Sequence, residues 1–554
     1  MSKHIYVTGG VVSGIGKGVV TASIAKILQW RSYNVDVIKI DPYLNVDPGT
    51  LNPIEHGEVF VCEERWSFSP LPELRFNIAE VDQDFGTYER FLDKEIHPSN
   101  NITSGQVYLS VILAERQGRF LGRTIQVIPH ITDEVKRRIK MVEEKSKPDI
   151  LIIEIGGTVG DIEAMPFLEA VRQLRLEKGR CSTLLVHVTL VPYLKTIRQL
   201  KTKPTQHSVK TLQSLGLQPD VIIARSELPL DEESRRKISL YSNVPYNAVI
   251  PNPDLKVSYE VPLVFEREGL GDYIVEHLCL ECKSLREEDY LEWKSIVESF
   301  KKDYGKRIRI AMPGKYVSIK DSYISIYESL LHSAAKAGVN IDIVYVDSEK
   351  IEKEPSKMDD FYSDVDGILL TPGFGRRGSE GLILSAKYAI ENDIPLLGIC
   401  FGAQLLFISY MRYFVGLKDA NSTELDPDTL HPVVDLLPEQ RHVKHKGASM
   451  RLGAHKILVK EDTMLYKAYK RKIIYERFRH RYHIIRRYAE MAEKHGLVIS
   501  STDESGRIVN SIEVKDKSWI VGVQFHPEFK SRPGKPSPIY LDFVKAAIGA
   551  KDKI

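Results

Sequence analysis

The stretch that decides the fold of the first part of the chain reads Val7-Thr8-Gly9-Gly10-Val11-Val12-Ser13-Gly14-Ile15-Gly16-Lys17-Gly18. It follows a short apolar strand and precedes an apolar pattern of helical spacing over residues 19–30. A strand, a glycine-rich turn and a helix start place backbone N–H groups and the positive helix end around a phosphate. The Lys17 ammonium adds a charge for the outer phosphates. The stretch therefore predicts nucleotide binding by an α/β domain.

This loop differs from the strict phosphate-loop pattern at two positions. Val11 stands where the first glycine is expected, and Gly18 stands where Ser or Thr usually binds magnesium. If magnesium binds, its ligands must therefore come from elsewhere, and carboxylates are the obvious source. A tight turn that only joins a buried strand to a helix is the alternative interpretation.

Length and composition set limits on the class of protein. A chain of 554 residues with 43% hydrophobic and 27% charged residues predicts two or more globular domains. Its net charge of +2 gives no reason to expect nucleic acid as a partner. Five cysteines make no disulfide framework, and no apolar stretch is long enough for a membrane span. A strand begins almost at the first residue, so we expect no signal peptide, and a cytoplasmic protein.

Strand-length apolar runs alternate with longer helical patterns in the first half, which predicts a parallel sheet covered on both faces. Polar clusters follow several of these runs, at the carboxyl ends where such sheets bind ligands. The runs cover residues 35–40, 149–155, 184–191 and 221–224, and the clusters include Lys39, residues 154–163 and residues 201–207.

Two carboxylates are candidate magnesium ligands. Glu154 lies in an otherwise apolar strand, where a charge needs a cation or a hydrogen-bond network. Asp84 lies just before a helix-like segment, and helix capping is its alternative interpretation.

A second positive group, distinct from Lys17, consists of Lys201, Lys203 and Lys237. Two phosphate-binding groups in one domain imply two nucleotides, a phosphoryl donor and an acceptor. A solvated charged face is the alternative.

Six segments, in this order, resemble the CTP synthase family, and the resemblance extends over nearly the whole chain. They are residues 9–18, Lys39-Ile-Asp-Pro-Tyr-Leu-Asn-Val-Asp-Pro-Gly-Thr50, His56-Gly-Glu-Val-Phe60, Gln126-Val-Ile-Pro-His-Ile-Thr132, residues 154–163 and Lys201-Thr-Lys-Pro-Thr-Gln-His-Ser208. Residues 62–81 differ from the short acidic link usual in the family.

The resemblance implies binding residues for two nucleotides, a metal and an ammonia gate. ATP is expected at Gly14, Ile15, Gly16, Lys17, Gly18, Val19, Asp84 and Asp254, with Lys17 and Lys39 catalytic, and Mg²⁺ at Asp84 and Glu154. UTP, or CTP as inhibitor, is expected at Ser13, Asp161, Ile162, Glu163, Lys201, Lys203, Gln206 and Lys237. Pro53, His56 and Val59 correspond to the gate.

The second half has its own sheet pattern and a candidate nucleophile. We expect domains at residues 1–280 and 305–554, joined by a charged helix at 281–304. Gly398-Ile-Cys400-Phe-Gly402 predicts an exposed cysteine on a strand-to-helix turn, where the helix start favours thiolate. In Gln524-Phe-His526-Pro-Glu528 the imidazole can deprotonate Cys400 while the carboxylate orients it. Buried packing, a surface histidine and a solvated glutamate are the alternatives.

These motifs resemble a class I glutamine amidotransferase. The resemblance implies glutamine binding by Gln404, Glu424 and Arg481, and an oxyanion hole from the N–H groups of Gly373 and Phe401. Three features differ from the family: Phe401 and Ala403 beside the cysteine, a single glycine after Pro372, and residues 442–448. Arg376 and Arg377 are candidate phosphate contacts for GTP as an activator.

Together the resemblances imply two doubly wound α/β domains that aminate UTP to CTP. ATP phosphorylates O4 of UTP, glutamine hydrolysis supplies ammonia through an internal passage, and the assembly is a tetramer, a dimer of dimers. Two other classes stay open at this point. A cobyrinate-type amidoligase would not need Lys201 and Lys203, and a partition-type nucleotide switch would not need Cys400 and His526.

Overall fold

The structure, a computed structural model, describes residues 2–315, 320–441, 443, 447 and 449–552, without the side chains of residues 53, 320 and 321. The chain forms two compact units. The first comprises residues 1–50 and 66–301, and the second comprises residues 51–65 and 302–554. Among the described residues, no helix combines the length and apolar character needed to cross a bilayer.

Strands and helices alternate along the chain as far as residue 301. The strands are β1 (Lys3–Gly9), β2 (Val35–Asp41), β3 (Phe60–Leu71), β4 (Leu74–Val81), β5 (Asn101–Thr103), β6 (Ile150–Ile155), β7 (Thr183–Leu190), β8 (Tyr193–Leu194), β9 (Gln199–Leu200), β10 (Val221–Ser226) and β11 (Val249–Pro253). The helices are α1 (Lys17–Gln29), α2 (Pro53–His56), α3 (Asp84–Leu92), α4 (Ser104–Arg116), α5 (Thr132–Ser146), α6 (Met165–Lys178), α7 (Lys203–Ser214), α8 (Glu232–Ser242), α9 (Val261–Arg267), α10 (Leu270–His277) and α11 (Glu287–Lys301).

The first unit is built on a seven-stranded sheet in the described part of the chain, ordered β11-β10-β7-β1-β6-β2-β5. Its neighbouring strands are parallel, as expected from their continuous apolar runs. The central strands are buried along nearly their whole length because helices cover both faces. All their carboxyl ends therefore lie along one edge, where Gly9, Asp41 and Ile155 end their strands.

Residues 62–81, which differ from the family pattern, belong mainly to the hairpin of β3 and β4. Its aromatic side chains form a row in which the ring centroids of Trp66 and Phe68 lie 5.4 Å apart and those of Phe68 and Phe76 lie 5.9 Å apart. The Arg138 guanidinium of α5 lies 4.9 Å from the Phe68 ring centroid. The hairpin therefore packs on α5 through a cation–π contact, which its sequence alone did not indicate.

Helix α11 lies where the sequence predicted a linker, and its apolar side packs within the first unit. The Trp293 indole donates from Nε1 to the carbonyl of Tyr259 at 2.8 Å. The same indole meets the Trp30 ring edge-on, with 6.5 Å between their centroids. This aromatic contact holds α11 against the C-terminal end of α1.

The second unit contains α2, the start of β3 and all elements after residue 301. Its strands are β12 (Arg307–Gly314), β13 (Asn340–Asp347), β14 (Gly367–Leu370), β15 (Leu396–Ile399), β16 (Ala420–Ser422), β17 (His431–Leu436), β18 (Arg451–Val459), β19 (Ile473–His480), β20 (Tyr482–Ile484), β21 (Leu497–Thr502), β22 (Val509–Val514) and β23 (Ile520–Val523). Its helices are α12 (Ile324–Ala337), α13 (Ser348–Lys353), α14 (Met358–Phe361), α15 (Ser379–Glu391), α16 (Phe401–Tyr410), α17 (Met464–Tyr469), α18 (Arg486–Glu493) and α19 (Pro538–Lys551).

The main sheet of this unit has nine strands among the described residues, ordered β13-β12-β14-β15-β23-β22-β21-β18-β19. The five strands from β13 to β23 are parallel, and the rest of the sheet continues antiparallel. Apolar clusters fill both faces, one under α15 and α16 and the other under α12 and α19. β15 and β23 are central neighbours, and the predicted nucleophile and histidine follow them directly.

Candidate active sites

The glycine-rich loop of the first unit joins β1 to α1, which begins at Lys17. Gly14 and Gly16 have φ of 69° and 92°, in the left-handed region that favours glycine. A Cβ on Gly10 would lie 1.6 Å from Ser208 Oγ, so any larger residue there would displace the Ser208 side chain. Lys17 donates from Nζ to the carbonyl of Gly157 at 2.8 Å, and burial lowers the pKa of Lys17. The loop therefore leads directly into the first turn of α1, where the ammonium group of Lys17 is partly shielded from water.

Lys39, at the end of β2, lies among four carboxylates. Its Nζ donates to Asp84 and lies 3.4 Å from Asp82 Oδ1, 3.2 Å from Glu154 Oε1 and 3.9 Å from Asp41 Oδ1. Burial opposes the charge of the ammonium, but the carboxylates together raise the pKa of Lys39 well above its ordinary value. Asp82 and Asp41, to which the sequence analysis gave no role, therefore belong to this cluster.

Asp84 and Glu154 fit the chemistry of a magnesium site. Asp84 is the first residue of α3, and a Cβ on Gly18 would lie 2.1 Å from Asp84 Oδ1. Glu154 is fully buried and accepts a hydrogen bond from the Tyr88 hydroxyl at 2.5 Å. In the described part of the chain, no group of three or more His, Cys, Asp and Glu side chains could hold an ion. Two carboxylates suit Mg²⁺, which usually takes its other ligands from phosphates and water.

The cap interpretation of Asp84 is wrong. Gln83 is the N-cap residue of α3 and its side chain makes no capping bond, while the Asp84 carboxylate contacts Lys39. The backbone N–H of Asp84 instead donates to Asp82 Oδ1 at 2.9 Å.

The residues expected at the second nucleotide lie on four segments of the first unit. Asp161, Ile162 and Glu163 are exposed in the loop after β6, where the N–H of Thr158 donates to Asp161 Oδ2 at 2.9 Å. Ser13 is exposed in the glycine-rich loop. Each segment therefore presents its polar groups to solvent.

Lys201, Lys203 and Gln206 lie together around the start of α7. Lys201 donates to Gln199 Oε1 at 2.7 Å, and Gln206 donates to Thr202 Oγ1 at 3.0 Å. Lys203 Nζ lies 6.0 Å from the centroid of the Tyr241 ring on α8. The same helix carries Lys237, which is exposed and paired with Glu233.

Arg225 is a basic residue near the loop that the sequence analysis missed. Its Nη2 lies 3.2 Å from Asp254 Oδ1, and its Nη1 would lie 3.0 Å from a Cβ on Gly16. It thus connects the glycine-rich loop with Asp254, the residue expected at the adenine end of ATP.

His187 is a second residue that was missed, although a lone imidazole in an apolar strand is a readable signal. Its Nδ1 lies 2.9 Å from Thr8 Oγ1 and its Nε2 lies 2.7 Å from Ser208 Oγ. Burial, with the nearby Lys17 charge, lowers the pKa of His187 to about 3, so the ring is neutral.

In the second unit, Cys400 lies on a strained turn between β15 and α16, with φ 52° and ψ −104°. The prediction of an exposed cysteine is wrong: Cys400 is buried, because the Arg479 carbonyl and the Gln524 amide lie against its sulfur. A Cβ on Gly402 would lie 2.3 Å from the carbonyl oxygen of Leu370, and one on Gly398 would lie 3.0 Å from the carbonyl carbon of Gly402. A side chain at Gly402 would therefore push α16 away from β14, and one at Gly398 would press more lightly on the first turn of α16. Helix α16 begins at Phe401, so the thiol lies at a helix N-terminus, which favours the thiolate.

His526 and Glu528 follow β23, next to β15 in the sheet. The ring atom Nδ1 of His526 lies 2.7 Å from Glu528 Oε1, and both side chains are buried. Burial opposes a charge on the imidazole, but the Glu528 carboxylate and the adjacent Cys400 raise the pKa of His526 to about 10. The protonated imidazole is therefore the form expected beside a thiolate.

The residues expected to bind glutamine surround this turn. The N–H of Gly375 donates to Glu424 Oε1 at 2.8 Å, and Arg481 donates to Gln440 Oε1 at 2.8 Å. Gln404 is buried and donates from Nε2 to the carbonyl of Tyr482 at 2.8 Å. A Cβ on Gly373 would lie 3.6 Å from Phe401 Cδ1, so the two residues of the expected oxyanion hole are neighbours.

Lys315 is a further residue of this site that sequence reasoning missed. Its Nζ donates to the carbonyls of Phe374, at 2.7 Å, and Gly375, and it lies 4.6 Å from the Phe401 ring centroid. Burial lowers the pKa of Lys315 to about 8, with Glu424 opposing the shift. This ammonium therefore holds the turn that carries Gly373.

The segment of residues 51–65 holds the expected gate and belongs to the second unit. The Phe60 ring lies 4.9 Å from that of Phe529, which in turn stacks on the His526 ring at 5.2 Å. Within this segment His56 is exposed and Val59 is buried, while the side chain of Pro53 lies outside the described residues. The segment is therefore packed directly beside the His526–Glu528 pair.

Two family models match the chain: CTP synthase N-terminus over residues 3–280 and glutamine amidotransferase class-I over residues 318–546. The CTP synthase of Methanopyrus kandleri is 52% identical over 548 residues, covering 99% of each chain. That of Pyrococcus abyssi is 51% identical, covering 99% of this chain and 98% of its own. A solved Trypanosoma brucei CTPS glutaminase domain with bound acivicin is 37% identical, with a TM-score of 0.42, over 44% of this chain and 94% of its own.

Proposed function

This chain belongs to the CTP synthase family, and from that premise we propose which of its residues carry out each step. The enzyme converts UTP to CTP, with glutamine as the nitrogen donor and ATP as a co-substrate. One observation carries the assignment of residues: each unit has a cluster of reactive groups at the carboxyl ends of its central parallel strands. The family match decides against a cobyrinate-type amidoligase and a nucleotide switch.

In the first unit, residues 14–19 and Lys17 bind the phosphates of ATP, and Asp254 with Arg225 lies toward its adenine end. Asp84 and Glu154 bind Mg²⁺, which when bound neutralises charge on the phosphates. The ammonium of Lys39, held among these carboxylates, would offset negative charge on the transferred phosphoryl group. The phosphoryl group is transferred to O4 of UTP, which creates a leaving group at C4.

The second nucleotide binds at Ser13, Asp161, Ile162, Glu163, Lys201, Lys203, Gln206 and Lys237. The exposure of the loop 161–163 and the grouping of Lys201, Lys203 and Gln206 at the start of α7 support this assignment. CTP carries the same triphosphate, so it competes as a feedback inhibitor at these residues.

In the second unit the Cys400 thiolate attacks the carboxamide carbon of glutamine, and His526 protonates the departing ammonia. The N–H groups of Gly373 and Phe401 stabilise the oxyanion, while Gln404, Glu424 and Arg481 hold the substrate. Ammonia in neutral water would be protonated, so we propose a protected passage with Pro53, His56 and Val59 as its gate. The packing of residues 51–65 beside His526 supports that role.

Three further assignments rest on the family. GTP activates the glutaminase reaction, with Arg376 and Arg377 as its phosphate contacts; residues 442, 444–446 and 448, where the sequence differs from the family, lie outside the described residues. The assembly is a homotetramer, a dimer of dimers. All five cysteines are free thiols, which supports a reducing, cytoplasmic compartment.

The test supplies ATP, Mg²⁺ and UTP with either glutamine or ammonium and follows CTP by absorbance. Cys400→Ala is expected to abolish the reaction with glutamine and to spare that with ammonium. Lys17→Ala is expected to remove both. Full retention of either activity in Lys17→Ala would contradict the ATP assignment, and loss of the ammonium reaction in Cys400→Ala would contradict separate sites.

A further inference from the structure

Gln524 is a buried residue of the second unit whose side-chain amide lies between Cys400 and Gln404. It directly follows β23 and precedes His526 by two residues. Its Nε2 lies 3.5 Å from Cys400 Sγ, within reach of a hydrogen bond to sulfur. Its Oε1 accepts a hydrogen bond from Gln404 Nε2 at 3.0 Å. The amide therefore touches the reacting atom of the glutaminase site.

The direction of these hydrogen bonds is determined by a backbone carbonyl. The carbonyl of Tyr482 can only accept, so the Gln404 atom that lies 2.8 Å from it must be the amide nitrogen. That nitrogen then donates its second hydrogen to Gln524, whose nearer atom must be the oxygen. Only the Gln524 nitrogen is left to face Cys400, and it presents an N–H to the sulfur.

Two groups of opposite character thus meet the sulfur. The carbonyl of Arg479, 3.6 Å from Sγ, accepts the S–H hydrogen when Cys400 is a thiol. The Gln524 N–H donates to a sulfur lone pair and is strengthened when the sulfur is charged. Gln524 therefore favours the thiolate over the thiol, and its own orientation is fixed by Gln404.

We propose that Gln524 is a catalytic residue of the glutaminase reaction, which stabilises the Cys400 thiolate both as nucleophile and as leaving group. This inference rests on the proposed role of Cys400. In acylation an S–C bond forms, the C–N bond breaks, and ammonia leaves with a proton from His526. Water then adds to the thioester and gives a proton to His526, the C–S bond breaks, and the electron pair returns to sulfur as thiolate. The Gln524 N–H stabilises the sulfur at the start and at the end of this cycle.

Two substitutions separate this role from that of a spacer. Gln524→Leu removes both hydrogen bonds of the amide. Gln524→Glu keeps an acceptor for Gln404 but replaces the donor beside the sulfur with an oxygen. Asn510→Leu is the matched control, because Asn510 is also a buried amide, its backbone carbonyl accepts from the N–H of Gln524, and its side chain makes no hydrogen bond to the described residues.

The first readout is the alkylation rate of Cys400 by iodoacetamide, followed by mass spectrometry of its peptide from pH 6 to 9. The exposed Cys282 serves as the internal reference thiol in the same sample. At pH 6.5 we expect a fall of about tenfold for both Gln524 variants, the effect of one hydrogen bond to a charged group. Asn510→Leu is expected to stay within about twofold of the wild-type rate, as for loss of an amide that does not contact the sulfur.

The second readout is glutamate release. For Gln524→Glu we expect kcat to fall about tenfold with KM unchanged, because the bond to Gln404 persists. Unchanged alkylation in both variants, or a loss confined to KM, would overturn the proposal and leave Gln524 as a support for Gln404. Cys400→Ala tests the proposed function separately. If Cys400→Ala still formed CTP from glutamine, the proposed function itself would be wrong; if it did not, only the role of Gln524 would be in question.

Discussion

Replacing Gly402 with alanine tests whether close packing at the cysteine turn positions the reaction. A Cβ on Gly402 would lie 2.3 Å from the carbonyl oxygen of Leu370, whereas ordinary contacts begin near 3.4 Å, so α16 and β14 must separate by about 1 Å. Overpacking of this kind costs about 1–3 kcal/mol, partly offset by about 0.5–1 kcal/mol because alanine favours the helix. The net destabilisation is therefore at most about 2.5 kcal/mol.

The effect on the reaction should exceed the effect on stability. β14 ends at Leu370 and leads into the turn that carries Gly373, so separating these elements displaces the expected oxyanion hole from Cys400. A misplacement of about 1 Å costs on the order of 100-fold in rate. We expect glutamate release to fall by about that factor, while ammonium-dependent CTP formation stays near the wild-type rate.

The matched control is Gly549→Ala. Gly549 also lies in a helix of the second unit, α19, and a Cβ there would have no atom within 4 Å. This variant should raise the midpoint of thermal unfolding and leave glutamate release unchanged. If Gly402→Ala released glutamate at the rate of Gly549→Ala, close packing at the turn would not position the reaction.

Three further predictions follow from individual contacts. The Lys315 ammonium donates to two carbonyls of the glycine turn, and burial lowers its pKa to about 8. Glutamate release by the wild type should therefore fall above pH 8, where Lys315 loses its proton. Lys315→Met should not show this fall. Burial raises the pKa of Glu476 from 4.5 to about 7, so between these two pH values unfolding releases a proton and stability should fall as pH rises. Glu476→Gln keeps the acceptor for the Tyr469 hydroxyl and has no such proton to lose. Its thermal midpoint should therefore rise relative to that of the wild type between pH 5 and 7.5. Gly10→Ala should abolish CTP formation with either nitrogen source, because its Cβ would overlap Ser208 Oγ. Adding Ser208→Gly should restore part of the rate. If it restored none, the overlap with Ser208 would not be the cause of the loss.

The regular elements of both sheets could be predicted because their signals are local. The apolar run at residues 35–40 became β2, Val35–Asp41, and the run at 184–191 became β7, Thr183–Leu190. In a parallel sheet with both faces covered, a strand must be apolar throughout, so its sequence identifies it without knowledge of its neighbours. Hairpin β3–β4 was missed because its aromatic row is completed by Arg138 of α5, about 70 residues away in sequence.

The sites divide in the same way. Glycine loops, Cys400, His526 and Glu528 are short motifs whose spacing reflects backbone constraints, so they could be found by inspection. Arg225 and Lys315 have no such signal, and Gln524 lies in the His526 motif without any sign of its contact with Cys400. What these three residues touch depends on which strands are neighbours in the sheet.

The amino-acid sequence alone therefore determined the two α/β patterns, the glycine-rich turn and the cysteine turn, because each depends on backbone preferences and apolar periodicity within a few residues. Only the tertiary structure decided that Lys39 is surrounded by Asp82, Asp84 and Glu154, and that residues 51–65 belong with His526. Electrostatic and packing energies fall off over a few ångströms of space rather than along the chain. The residues that interact in this way are therefore known only once the order of the strands in the sheet is known.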